Sequence, residues 1–124
     1  MQASGFRVGA TSYRLLILVP RGLALAIGAL GEQRFRPGRY VYTGSARRGM
    51  EARIRRHLSR AKRHHWHIDY LLAAGGVRVT GVECHVEDEC PLNKQTPGET
   101  VIRGFGAGDC RSGCGSHLKY LGPL

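Results

Sequence analysis

Tyr13 to Val19 is apolar on both faces. Tyr13, Leu15, Ile17 and Val19 share one side of an extended chain, and Leu16 and Leu18 occupy the other. The segment therefore predicts a strand with both faces at least partly buried. Pro20-Arg21-Gly22 is a turn signal and Leu23 to Ile27 reads as a second short strand, so the pair predicts a hairpin. A loop follows as far as Arg36-Pro37-Gly38-Arg39. Arg39 to Gly44 then predicts a third strand carrying Tyr40, Val41 and Tyr42.

The period changes after that. Met50, Ile54, Leu58 and Ala61 recur at helical spacing and form a narrow apolar stripe on a basic helix. His64-His65 marks a break, Trp66 to Ala74 predicts a second helix, and Gly75-Gly76 stops it. Val77 to Val86 alternates well enough for a fourth strand. Residues 87–124 show little periodicity, with Pro91, Pro97 and six glycines from Gly98 to Gly115. Ordered irregular structure, or a short helix near Glu89, is expected there. The sum is a small α+β domain with a mostly antiparallel sheet: three N-terminal strands plus one later strand. Helices are expected on one face, with an irregular Cys- and Gly-rich C-terminal tail.

A length of 124 residues gives one domain, 1–124, with residues 1–11 as a flexible leader. Nineteen Lys and Arg against nine Asp and Glu leave a net charge of +10, which favours a polyanionic partner. No apolar run is long enough for a membrane span. Arg7 is not followed by an apolar segment with a small-residue cleavage site, so a cytoplasmic protein without a signal peptide is expected.

Several segments in order carry a family resemblance. They are Tyr40-Val41-Tyr42-Thr43-Gly44-Ser45-Ala46, then Arg53-Ile54-Arg55-Arg56-His57, then Trp66 to Leu72. Glu89-Cys90 and Asp109-Cys110 with Ser116-His117-Leu118 complete the set. The chain resembles the GIY-YIG nuclease superfamily from about Tyr13 to Leu121. It most resembles the small branch found alone or fused to endonuclease III. The resemblance implies a site in which two tyrosines, Tyr13 and Tyr42, a helix arginine, Arg53, and a glutamate, Glu89, surround a scissile phosphate. Three departures stand out. Thr11-Ser12-Tyr13 lacks the usual glycine, Pro91 follows Glu89 by two residues, and Asn93 is only a loose counterpart of a late asparagine.

These residue types suit phosphodiester hydrolysis, which needs an activated water and neutralised phosphoryl oxygens. One glutamate can hold Mg²⁺ or Mn²⁺ because such ions keep several waters. Glu89 is the choice, with Glu83 and Glu87 as rivals. Arg53 offers a charged fork matched to phosphate oxygens. A nearby cation and arginine would favour a tyrosine phenolate, so Tyr13 or Tyr42 could help deprotonate water. His57, four residues after Arg53 on the same helix face, could bond that water or a tyrosine. Read without the resemblance, the tyrosines are ordinary strand residues and Arg53 and His57 ordinary members of a basic helix.

Arg47 to Arg63 holds eight Lys or Arg and one acid, Glu51. Arg47, Arg48, Arg55, Arg56, Arg60, Lys62 and Arg63 are the candidate contacts to a DNA or RNA backbone, with no feature that reads base identity. Trp66 is expected to pack in the core, and Asp69 to orient a neighbouring histidine or cap the local network. Cys110, Cys114 and His117, with Cys90 upstream, offer the four ligands of a zinc site. Buried thiols or an oxidisable pair remain open alternatives. Cys84 and His85 are strand neighbours that point to opposite faces, so both cannot easily join one site.

The reading that follows is a metal-dependent DNA endonuclease in repair or processing, using Mg²⁺ or Mn²⁺ at Glu89. A repair protein is the expected source of specificity. The alternative is a non-catalytic nucleic-acid-binding module with a basic helix, with zinc as its candidate staple.

Overall fold

The computed structural model describes residues 9–46, 48–59, 63–106 and 114–124. Most of the expected leader, together with Arg47, Arg60, Lys62 and Cys110, lies outside the described residues. The chain forms β1 (Ser12–Val19), β2 (Leu23–Ala26), β3 (Glu32–Phe35) and β4 (Gly38–Ser45). It continues as α1 (Met50–Leu58), α2 (His67–Leu72), β5 (Arg78–His85) and α3 (Glu89–Gln95). Two strands, β6 (Glu99–Thr100) and β7 (Leu118–Gly122), close the sequence. No helix among the described residues is long and apolar enough to cross a membrane.

The main sheet has the order β5-β1-β4-β7-β6, and each of its pairings is antiparallel. β1 pairs along its length with β4 on one side and β5 on the other, which explains why both its faces are apolar. Tyr13, Leu15, Ile17 and Val19 are all buried on one face. Full burial of such aliphatic side chains contributes roughly 1.5–3 kcal/mol each, so this strand anchors the core.

The expected β1–β2 hairpin does not form. Both edges of β1 are taken, and β2 instead pairs with β3 in a separate two-stranded ladder. Leu23 and Leu25 of β2 pack on the core, while Ala24 and Ala26 face out. β3 lies in the stretch expected to be a loop. Its sequence, Glu-Gln-Arg-Phe, buries only Phe35, which is too little for an alternating pattern to show.

In the C-terminal stretch the short helix expected near Glu89 forms, and two strands stand where irregular structure was expected. Glu89 opens α3, with Pro91 tolerated in the first turn. Leu118 and Tyr120 point inward from β7, which fills the place beside β4. Helices occupy both faces of the sheet, contrary to the one-face expectation. α1 packs on the Tyr13 face through His57. α3 lies on the opposite face, where Arg14 Nε donates to Thr96 Oγ1 (2.8 Å) and Lys119 Nζ donates to the Thr96 carbonyl (2.8 Å).

Gly44 faces Tyr13 across the β1–β4 ladder. A Cβ at Gly44 would overlap Tyr13 Cζ and Oη, so the glycine lets the phenol ring lie across β4. Gly44→Ala is expected to cost about 1–3 kcal/mol through overpacking, lowering the melting temperature by several degrees. An unchanged thermal melt would show that the ring does not need that space.

Candidate active site

The start of β1, the end of β4 and the last turn of α1 meet at one end of the sheet. Tyr13 points inward by strand alternation. His57 points inward from α1, three residues after the buried Ile54. Tyr13 Oη and His57 Nε2 are 2.6 Å apart, and the residues are only 1 % and 2 % exposed. Tyr42 shares this face two residues before Gly44, its ring centroid 6.2 Å from that of His57. Gly106 supports Tyr42 from the other side. It has φ +67°, its N–H donates to His67 Nδ1 (2.9 Å), and a Cβ there would come within 2.8 Å of Tyr42 Cε1.

Arg53 and Arg56, three residues apart on α1, both stack on Trp66, with guanidinium carbons 4.4 Å and 4.2 Å from the ring centroid. Trp66 is thus a platform for two cations at the half-buried edge of the core it was expected to fill. Arg53 Nη1 also donates to the Ser45 carbonyl (3.0 Å), which ties the arginine to the end of β4. Burial raises the pKa of Tyr13, and the adjacent Arg53 only partly offsets it. Burial likewise holds Tyr42 well above its ordinary value, helped by the charges of Tyr13 and Glu89. Arg53 alone therefore does not outweigh burial, and both pKa values stay raised.

Asp69 organises the same corner. It accepts from Arg56 Nη1 and Nη2 (both 2.9 Å) and from the backbone N–H groups of His65 and Trp66 (both 2.8 Å). As the third residue of α2 it reaches back to cap that helix. Burial opposes its charge, but the bonds from Arg56, Trp66 and His65 prevail and lower its pKa to about 2. Asp69 acts on Arg56 and the helix cap.

Glu89 Oε2 lies 2.7 Å from His117 Nδ1, and the Glu89 side chain is 27 % exposed. Its charge reaches both tyrosines and pushes their pKa values up, though less than burial does. The two rival acids are engaged elsewhere. Glu83 Oε1 pairs with Arg14 Nη1 (3.2 Å) and His85 Nε2 (3.1 Å), and Glu87 Oε2 lies 3.6 Å from His85 Nδ1. Asn93 is buried on α3, and its Nδ2 donates to the Ser116 carbonyl (2.8 Å). Cys90, Cys114 and His117 converge, with one ligand atom of each within 4.8 Å of the others.

Among the candidate backbone contacts, Arg48, Arg55 and Arg63 are exposed. Arg55 is shared with Glu51 at 2.6 Å, an exposed pair one helical turn apart. Arg56 is committed to Asp69. The Arg56–Asp69 bond escaped the sequence because the partners are 13 residues apart. The helix cap left a signal, an acid three residues after the N-cap Trp66.

Fold and site together define a small basic α+β domain in which two strand tyrosines meet a helix histidine and arginine. The chain belongs to the family described as "Domain of unknown function DUF123", whose model matches residues 12–123, and that family is GIY-YIG-like. No curated protein and no solved structure matches the chain.

Proposed function

We propose that the chain is a GIY-YIG-type, metal-dependent DNA endonuclease that hydrolyses phosphodiesters at the Tyr13–His57 corner. The observation that supports this most is the 2.6 Å contact between Tyr13 Oη and His57 Nε2 beside Arg53. The Tyr13 hydroxyl passes its own proton to His57 Nε2 as it takes one from the attacking water. That water adds to phosphorus, the bond from phosphorus to one ester oxygen breaks, and the leaving oxygen takes a proton from solvent. Arg53 binds the non-bridging oxygens as charge builds on them. Tyr42 lines the same wall and orients Tyr13 and His57.

The oxygen donors present fit a Mg²⁺ or Mn²⁺ ion. Glu89 keeps its carboxylate partly open to solvent, and one carboxylate with waters and a substrate phosphate is an ordinary Mg²⁺ set. When bound, the ion supplies positive charge for the phosphoryl oxygens and lowers the pKa of a coordinated water.

Arg48, Arg55 and Arg63 hold the nucleic-acid backbone, with Arg47, Arg60 and Lys62 contributing charge from the same stretch of sequence. DNA is the favoured polymer and RNA the alternative. A repair protein supplies specificity, and the setting is cytoplasmic. Burial of both tyrosine hydroxyls favours one second reading, a binding module without chemistry.

The test uses supercoiled, branched and abasic DNA with Mg²⁺, Mn²⁺ or EDTA. Nicking that requires the metal is expected. Binding is expected to weaken with salt, with a log–log slope of about −3 if three arginines each meet a phosphate. Salt-sensitive binding with no cleavage of any substrate would overturn the nuclease reading in favour of the binding module.

A further inference from the structure

We propose that Cys90, Cys114 and His117 bind a zinc ion that clasps the first turn of α3 to the segment entering β7. Cys90 Sγ and His117 Nε2 lie 4.0 Å apart, and all three ligand atoms fall within 4.8 Å of one another. A tetrahedral zinc with Zn–S near 2.3 Å and Zn–N near 2.05 Å sets its ligands about 3.6–3.8 Å apart. Small side-chain adjustments therefore bring these three ligands to zinc and leave the fourth position for water or another ligand.

The histidine is already held as a metal ligand would be. With His117 Nδ1–H donating to Glu89 Oε2 at 2.7 Å, the lone pair stays on Nε2, the nitrogen nearer Cys90. A carboxylate behind a ligating imidazole fixes the tautomer and raises the basicity of the ligand. The backbone on each side is firm. His117 N–H donates to the Phe105 carbonyl (2.8 Å), and Thr43 N–H donates to the His117 carbonyl (2.9 Å).

Two thiolates and an imidazole select zinc over Mg²⁺, so this centre differs in chemistry from the oxygen site, and the Glu89–His117 bond joins the two. A stretch so rich in glycine gains most from such a staple, because metal binding adds directly to folding free energy. The assignment does not depend on the nuclease reading.

The full-length chain, purified without chelator, is expected to contain about one zinc per molecule by elemental analysis. Cobalt added to the zinc-free protein is expected to give thiolate-to-metal charge-transfer bands. Cys114→Ser should weaken those bands and lower zinc affinity more than about 100-fold, Glu89→Ala should lower it about 10–100-fold, and Cys84→Ser should leave it unchanged. The cobalt titration of the unaltered chain needs no variant to fold. A zinc-free preparation that also gives no charge-transfer band with cobalt would overturn the proposal. Equal zinc loss in Cys84→Ser and Cys114→Ser would do the same.

Discussion

Asp69→Ala is expected to lower the unfolding free energy by about 3–5 kcal/mol, a large share of the roughly 5–15 kcal/mol that holds a typical domain together. The Asp69 side chain is 0 % exposed, and its partner Arg56 is 28 % exposed. Removing the carboxylate strands a partly buried guanidinium and leaves the N–H groups of His65 and Trp66 without their acceptor. The damage then reaches function, because Arg56 and Arg53 share the Trp66 ring. Urea unfolding followed through Trp66 fluorescence measures the loss, and a change under about 1 kcal/mol would contradict the role given to Asp69.

Acid probes the same bond in the unaltered protein. The folded pKa of Asp69 is about 2, below the ordinary 3.8. A depressed folded pKa means the stabilisation is complete above the unfolded value and is lost as pH falls through the folded one. Stability is therefore expected to drop by roughly 2 kcal/mol between about pH 4 and pH 2 from this group, and Asp69→Asn should remove that part of the slope.

Arg53→Ala is expected to reduce cleavage about 10²–10³-fold, the usual cost of removing one charged donor from a developing oxyanion. The fold should survive. Arg53 is half-buried, it donates to the Ser45 carbonyl, and Arg56 still covers Trp66. Binding should weaken only by the share of one phosphate contact. Arg53→Lys should rescue poorly, because an ammonium cannot offer the paired donors of a guanidinium. Rates of plasmid nicking and binding isotherms on the same DNA separate these effects. Cleavage by Arg53→Ala at the wild-type rate would remove Arg53 from the site.

Much of the fold was legible because the responsible signals are local. The alternation in β1, the Tyr40–Tyr42 strand and the apolar stripe of α1 each lie within one short window. The strand ends were found to within a few residues, whereas α1 stops at Leu58, which is exposed, and Ala61 lies outside the described residues. Pairing was not legible where the pattern was thin. β3 buries one side chain, and β7 hides two inward residues, Leu118 and Tyr120, among glycines. The β1–β2 hairpin failed because competition for the edges of β1 is a property of the whole sheet. The site divides along the same line. Helical spacing put Arg53 and His57 on one face, whereas the Arg56–Asp69 bond and the Glu89–His117 contact join residues 13 and 28 apart. Tyrosine burial was also invisible in the sequence, and it opposes the phenolate that arginine favours.

The most direct measurement compares wild type with Glu89→Ala in nicking supercoiled DNA across a Mg²⁺ titration, with zinc content checked on both preparations. Metal-dependent nicking by the wild type, reduced at least about 100-fold in Glu89→Ala while DNA binding persists, is the expected result. Equal nicking by the two proteins, at equal zinc content, would contradict the assignment of Glu89 to the catalytic metal.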